Sequence, residues 1–231
     1  MRIGMFDSGV GGLTVLKSFI KYHPNNEYFY YGDTLNVPYG DKTKEELLEL
    51  SKKIIKYLEN KKVDIIIIAC GTISSNVYDD LTKITNIPIY SIIKETINYA
   101  LDRKYNKILL IATSATVNSH IFKKNIPNLI EMSCPKLVPL IESRKKEELN
   151  LVLKEYFKDI KEIDAIILGC THYPIIKEEI KNILNTSIID MGEILAQKIK
   201  TIDTFQSIDL YFSKTDEKVK ENIKMILGDI C

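Results

Sequence analysis

Apolar runs of strand length alternate with stretches of helical periodicity along almost the whole chain. Ile3 to Phe6 reads as a buried strand, Leu13 to Tyr22 as a helix and Tyr28 to Tyr31 as the next strand. Leu47, Leu50, Ile54 and Leu58 share one helical face ahead of the apolar run that starts at Val63. Ile176, Ile180, Ile183 and Leu184 do the same after the run that ends at Cys170, so both helices should pack on sheets. Lys107 to Ala112 predicts a further strand, preceded by a helix over Lys94 to Asp102 and followed by one from about Ala115. After a polar connection at Thr201 to Ser207, the tail adds a strand over Ile208 to Phe212 and a helix from about Thr215 to Leu227. Strands that alternate with helices in this way predict an α/β protein with mainly parallel sheets.

Two of the apolar runs are near-copies. Val63-Asp64-Ile65-Ile66-Ile67-Ile68-Ala69-Cys70-Gly71-Thr72 is echoed by Ile163-Asp164-Ala165-Ile166-Ile167-Leu168-Gly169-Cys170-Thr171-His172, which sets two thiols one hundred residues apart in equivalent places. Each run is β-branched and ends in a polar turn, so each thiol should sit at the carboxyl end of a buried strand. Open α/β sheets bind their ligands there. The echo predicts two domains of similar plan, with a boundary near Ile93. The charged run Ser143 to Glu148 fits a helix beginning at Lys145 and stays within the second domain, while the tail could close either one.

Bulk properties narrow the function. A chain of 231 residues can build two small cores, and 45% hydrophobic with 27% charged residues is ordinary for a soluble globular protein. Thirty-two basic against 31 acidic side chains leave a formal charge of +1, which removes the electrostatic argument for a nucleic-acid or anionic-membrane partner. The start of the chain reaches a charge before any apolar stretch of signal-peptide length, and no later run approaches the ~20 residues of a membrane span. A cytoplasmic protein is expected. Four cysteines are too sparse for a disulfide framework, so reduced thiols are expected as well. Two groups attacking one carbon from opposite faces stand ~6 to 7 Å apart. Sulfurs in a disulfide lie only ~2 Å apart.

The candidate chemistry gathers at strand ends. Asp7-Ser8-Gly9-Val10-Gly11-Gly12 follows the first strand and precedes a helix, offering backbone N–H groups to an anion. It lacks the third glycine of a dinucleotide fingerprint and the Lys-Ser/Thr of a P-loop. A plain strand-to-helix turn would explain the glycines equally well, but Asp7 adds a carboxylate able to accept a proton or orient a thiol. Gly32-Asp33-Thr34 and Val37-Pro38-Tyr39-Gly40 form one polar loop, which by itself is turn chemistry. Cys70 stands with Thr72, and Cys170 with Thr171 and His172. A free thiol has a pKa of ~8.5, and a neighbouring cation or helix N-terminus lowers it. For Cys170, His172 and a helix after Pro174 can do both. Cys134 and Cys231 read as small core hydrophobes, and His23 and His120 as surface or helix residues without a partner pattern. A zinc site built from Cys70, Cys170 and His172 is rejected, because it lacks a fourth ligand and the Cys-x-x-Cys spacing. Arginine occurs only at positions 2, 103 and 144, outside these motifs, so hydroxyls such as Ser8, Thr72, Thr113, Thr116 and Thr171, with backbone amides, would have to hold an acidic ligand.

Two thiols from related halves point to removal of a proton from one face of a carbon and delivery to the other. Such stereoinversion needs one thiolate and one thiol at a time, which environments that push paired pKa values apart can provide. It needs no cofactor if the site stabilises the developing enolate with hydrogen bonds.

At this point the chain resembles the glutamate racemases of the cofactor-independent aspartate/glutamate racemase superfamily. The resemblance rests on Phe6 to Thr14, Gly32-Asp33-Thr34, Val37-Pro38-Tyr39-Gly40, Ala69-Cys70, Ala115-Thr116-Val117, Val138 to Glu142 and Leu168 to Pro174. It implies two pseudo-symmetric doubly wound domains facing across a central cleft, residues 1–93 with 208–231 and residues 94–207. It also implies interconversion of L- and D-glutamate for peptidoglycan, in a homodimer. By position, Cys70 matches the base that deprotonates D-glutamate and Cys170 the base for L-glutamate, assisted by Asp7 and His172. Asp33 and Glu142 are lesser assisting candidates. Ser8, Pro38, Tyr39, Gly40, Gly71, Thr72, Thr113, Thr116 and Thr171 match positions that line the substrate site. One departure stands out: the family usually carries Asn after the first catalytic cysteine, and here Gly71 has no side chain to contact substrate. The alternatives are therefore a racemase for aspartate or another small amino acid, or a non-catalytic binding protein derived from a racemase.

Overall fold

Among the described residues nine strands form two sheets, both wholly parallel. They are β1 (Arg2–Asp7), β2 (Glu27–Gly32), β3 (Ile65–Ile68), β4 (Ile89–Ser91), β5 (Ile108–Ala112), β6 (Leu129–Ser133), β7 (Ala165–Gly169), β8 (Ser187–Asp190) and β9 (Ser207–Phe212). One sheet has the order β4-β3-β1-β2-β9 and the other β6-β5-β7-β8. The computed structural model describes residues 1–228, so Cys231 lies outside the described residues. Among the described residues no helix is long and apolar enough to cross a membrane.

The strands are almost uniformly apolar because helices cover both of their faces. Along β1, β2 and β3, Ile3, Met5, Tyr28, Tyr30, Ile65 and Ile67 point into one core, while Phe6, Phe29, Ile66 and Ile68 point into another. The second sheet alternates likewise: Ile108, Leu110 and Ile167 join the first of those cores, and Leu109, Ile111, Ile166 and Leu168 a third. A single central core is thus shared by the inner faces of the two sheets. It is filled by α1 (Leu13–Tyr22), by α5 (Ile92–Asp102), and by α10 (Met191–Lys198), which packs against both.

The remaining helices are placed by the same logic. On the outer face of the first sheet lie α2 (Lys44–Asn60) and the short α3 (Gly71–Asn76) and α4 (Tyr78–Leu81). The start of α2 is fixed by a capping box in which Thr43 and Glu46 satisfy each other's backbone N–H. Outside the second sheet lie α7 (Leu137–Glu142), α8 (Lys146–Phe157) and α9 (Lys177–Ile183). The helix foreseen after Pro174 opens as a 3₁₀ turn over Tyr173–Ile176 before α9 begins. α6 (Ser114–Ser119) follows β5, capped by the Thr113 hydroxyl. The tail strand β9 pairs with β2, and α11 (Glu217–Leu227) then packs against α1, so the chain end returns to the first sheet.

Both histidines expected to lack partners have them. His23 closes α1 and joins Thr201 and the Ala196 carbonyl, while His120 faces Glu131 at 3.1 Å.

The shared core makes the two sheets one energetic unit. Leu195 on α10 is fully buried in it. Leu195→Ala should cost about 2 to 5 kcal/mol, and urea unfolding should shift as one transition for both halves. Separate transitions in circular dichroism would contradict a common core.

Candidate active site

In each sheet the strand order reverses beside its first strand, and the carboxyl ends at those two switch points face one another. Between them lies a cleft of about 440 Å³. Its walls include Ser8 after β1, the Pro38-Tyr39-Gly40 turn after β2, and Cys70, Gly71 and Thr72 after β3. Opposite stand Thr113 and Thr116 after β5, Cys134 after β6, Glu142 on α7, and Cys170, Thr171 and His172 after β7. Thirteen of the fifteen residues singled out from the sequence therefore line one cavity. The other two, Asp7 and Asp33, lie buried behind its wall.

The two thiols sit in different surroundings. Cys70 is buried, and its thiol donates to Ser8 Oγ at 3.7 Å. Burial above all, then the nearby Asp7 charge, pushes this thiol up to about 12, against the weaker pull of backbone N–H groups at Ile73 and Ser8. Its place at the start of the short α3 does not activate it. Cys170 is also buried, and its sulfur lies 3.9 Å from His172 Nδ1. His172 Nε2–H donates to Glu142 Oε1 at 3.0 Å. Burial alone would lower this imidazole, but Cys170 and Glu142 together outweigh it and raise it to about 10. The hydrogen bond to His172, helped by one to Lys218, overcomes burial to hold the Glu142 carboxyl at about 2. A line of acid–base groups thus runs from Cys170 through His172 and Glu142 to Lys218, whose Nζ is 2.9 Å from Glu142 Oε2.

The glycine loop differs from its reading as an open anion cradle. Asp7 Oδ2 accepts from the backbone N–H groups of Gly9 (3.0 Å) and Gly12 (3.1 Å), so those donors serve the loop's own carboxylate. The other oxygen, Oδ1, is buried without a partner among the described residues. Asp33 acts at one remove. It accepts from the Tyr39 hydroxyl (2.5 Å), from Asn36 and from Ser213, and so holds the Tyr39 turn over the cleft. A chain of hydroxyls crosses the cleft floor, with Thr72 3.5 Å from Thr113 and Thr113 3.1 Å from Thr116.

Of the lining residues that sequence reading left out, two carry reactive groups beside the thiols. Cys134 is fully buried, as a core residue should be, yet it borders the cleft. Lys218 comes from the far end of the chain, and a lysine on the polar face of a terminal helix carries no local mark of function. Among the described residues, no group of three or more His, Cys, Asp or Glu is arranged to hold a metal ion.

Known proteins place this architecture. The chain belongs to the Asp/Glu/Hydantoin racemase family, whose model matches residues 33–199. Within that family it is similar to the glutamate racemase of Hydrogenobaculum sp., with 37% identity over 99% of this chain and 93% of the relative. The structure of glutamate racemase from Aquifex pyrophilus superposes with a TM-score of 0.83 at 37% identity, covering 99% of this chain and 95% of that one. That of the Francisella tularensis glutamate racemase, in complex with D-glutamate, gives 0.87 at 33%, covering 98% and 93%.

The raised Cys70 thiol has a direct signature. In the ligand-free protein its alkylation by iodoacetamide should climb about tenfold per pH unit from about pH 7.5 to 10, because only the thiolate reacts. Peptide mass spectrometry reads the rate, and a plateau near the ordinary thiol value of ~8.5 would contradict the assigned environment.

Proposed function

We propose that this chain interconverts L- and D-glutamate by moving the α-proton between Cys70 and Cys170, without a cofactor, to supply D-glutamate for peptidoglycan in the cytoplasm. The observation that carries this reading is the pair of thiols at equivalent strand ends on opposing walls of one cleft. A carbon held between them has one sulfur on each face.

The two environments support distinct resting roles for the thiols. The Cys70 thiol keeps its proton and is ready to deliver it. Cys170 faces, at 3.9 Å, an imidazole that also keeps its proton. This is the state that removes the α-proton of L-glutamate at Cys170 and protonates the carbanion from Cys70. The opposite direction needs the thiol and thiolate exchanged, with Asp7 beside Cys70 and His172 beside Cys170 to take up the difference. The Ser8 hydroxyl, the Thr72-Thr113-Thr116 hydroxyls and Thr171 supply neutral donors for the substrate carboxylates. Donors fixed beforehand stabilise the enolate as its charge develops. By the same resemblance the enzyme is taken to be a homodimer, which sedimentation will measure.

A second reading rests on Gly71. A β-carbon there would lie 3.0 Å from the Gly169 carbonyl oxygen and 3.4 Å from Thr116 Oγ1, so the walls meet too closely for an unadjusted Asn. A site without that amide could favour aspartate or another small amino acid.

Proton NMR in deuterated buffer, followed by chiral analysis, decides between them. Loss of the glutamate α-proton with appearance of the D-isomer is expected. Exchange with aspartate alone would move the assignment to that substrate, and binding without exchange would favour a non-catalytic role. Cys70→Ser and Cys170→Ser should each lower racemisation by about 10² to 10⁴, and full activity in either would end the two-thiol mechanism. If glutamate is the substrate, Gly71→Asn should not raise its turnover relative to aspartate.

A further inference from the structure

A lysine from the C-terminal helix reaches the acid–base line from outside it. Lys218 lies in the first turn of α11, which packs against α1, whereas Glu142 ends α7 on the outer face of the second sheet. Their ion pair at 2.9 Å therefore joins the two sides of the cleft at its mouth. A second pair lies one turn further along α11, where Glu221 meets Arg144 at 3.5 Å, two residues beyond Glu142. Residues 218 and 221 share a helix face, so one face of α11 grips the end of α7 at two points.

The Lys218 side chain is more than half exposed, so the pair contributes little to stability. Its consequence is orientation. Glu142 has two carboxylate oxygens; Oε1 accepts from His172 Nε2 at 3.0 Å and Oε2 from Lys218 at 2.9 Å. With both ends occupied the carboxylate plane is fixed. Without Lys218, Oε2 faces solvent at the mouth, and the carboxylate can turn away from the imidazole. His172 would then lose the bond that holds its ring with Nδ1 toward the Cys170 sulfur.

We propose that Lys218 is a positioning residue of the reaction, fixing the Glu142 carboxylate on His172 from across the cleft and so keeping His172 aligned with Cys170. The proposal deepens the two-thiol reading and rests on it for its catalytic meaning. Among the described residues no hydrogen bond or ion pair links Lys218 to Cys70, whose polar neighbours include Ser8 and Asp7, so its effect should fall on one thiol only.

That asymmetry makes the test. Iodoacetamide alkylation of Cys70 and Cys170 is followed by peptide mass spectrometry at one pH in the unmodified chain, Lys218→Gln, Lys218→Arg and Glu221→Gln. Lys218→Gln should slow Cys170 by about three- to tenfold, the range of a partly exposed charge-assisted bond, and leave Cys70 unchanged. Lys218→Arg should restore the rate, and Glu221→Gln should leave both thiols as they were. In the racemase assay Lys218→Gln should lower kcat by a similar factor at constant KM. An unchanged or faster Cys170, or an equal change at both thiols, overturns the proposal, the latter because it reports general loosening. A rise in KM at constant kcat also overturns it, since Lys218 would then be holding substrate itself. If the unmodified chain racemises no glutamate, the functional reading fails on its own, and the alkylation rates still decide what Lys218 does.

Discussion

The site depends on how closely two backbones approach at the base of the cleft. Gly11, in the loop after β1, lies against the second half of the chain so tightly that a β-carbon there would come within 2.4 Å of His172 Nδ1 and 2.5 Å of Thr171 Oγ1. Real β-carbons do not survive such contacts, so a side chain at Gly11 would displace His172 and Thr171. Thr14, one turn later, donates its hydroxyl to the Thr171 carbonyl at 2.8 Å and fixes the same approach. On the other side Gly71 meets the Gly169 carbonyl oxygen. Absent side chains are thus what allow two sheet ends, each with its own thiol, to close on one cleft.

The central helical layer supports that approach. α10 belongs to the second half of the chain by sequence, but it packs against α1 and α5, and its Leu195 and Ala196 sit in the core shared by both sheets. Asp190 caps α10 by accepting from Gly192 and Glu193, so the helix starts directly at the end of β8. A hinge between two independent cores would leave the thiol separation loose. A common core sets it through side-chain packing, which resists deformation.

Within this frame the two thiols are made unequal by their neighbours. Cys70 is buried and lies near a carboxylate, and both favour the neutral thiol; Cys170 has a protonated imidazole backed by Glu142. Related strand-turn phrases therefore end in opposite electrostatic settings. Opposed settings are what a proton relay across one carbon requires, since one group must give as the other takes. The C-terminal helix adds the last part, returning past the first sheet to place Lys218 on Glu142.

The sequence by itself determined the class of fold and named most of the candidate residues that line the cleft. Strand positions were readable because a parallel strand covered on both faces must be a continuous apolar run, as in Ile65 to Ile68, and the thiols were readable because a repeated phrase ended in each. Those are local properties, written within ten residues. Only the tertiary structure decided that Asp7 spends one oxygen on its own loop, that Asp33 serves Tyr39, that Cys134 borders the cleft and that Lys218 reaches the acid–base line. Each of these depends on which atoms meet after the chain has crossed from one sheet to the other and back. Sequence periodicity reports the face a side chain occupies on its own element. It carries no information about the partner that arrives from a hundred residues away, because that meeting is set by sheet order, helix packing and the close contacts its glycines permit.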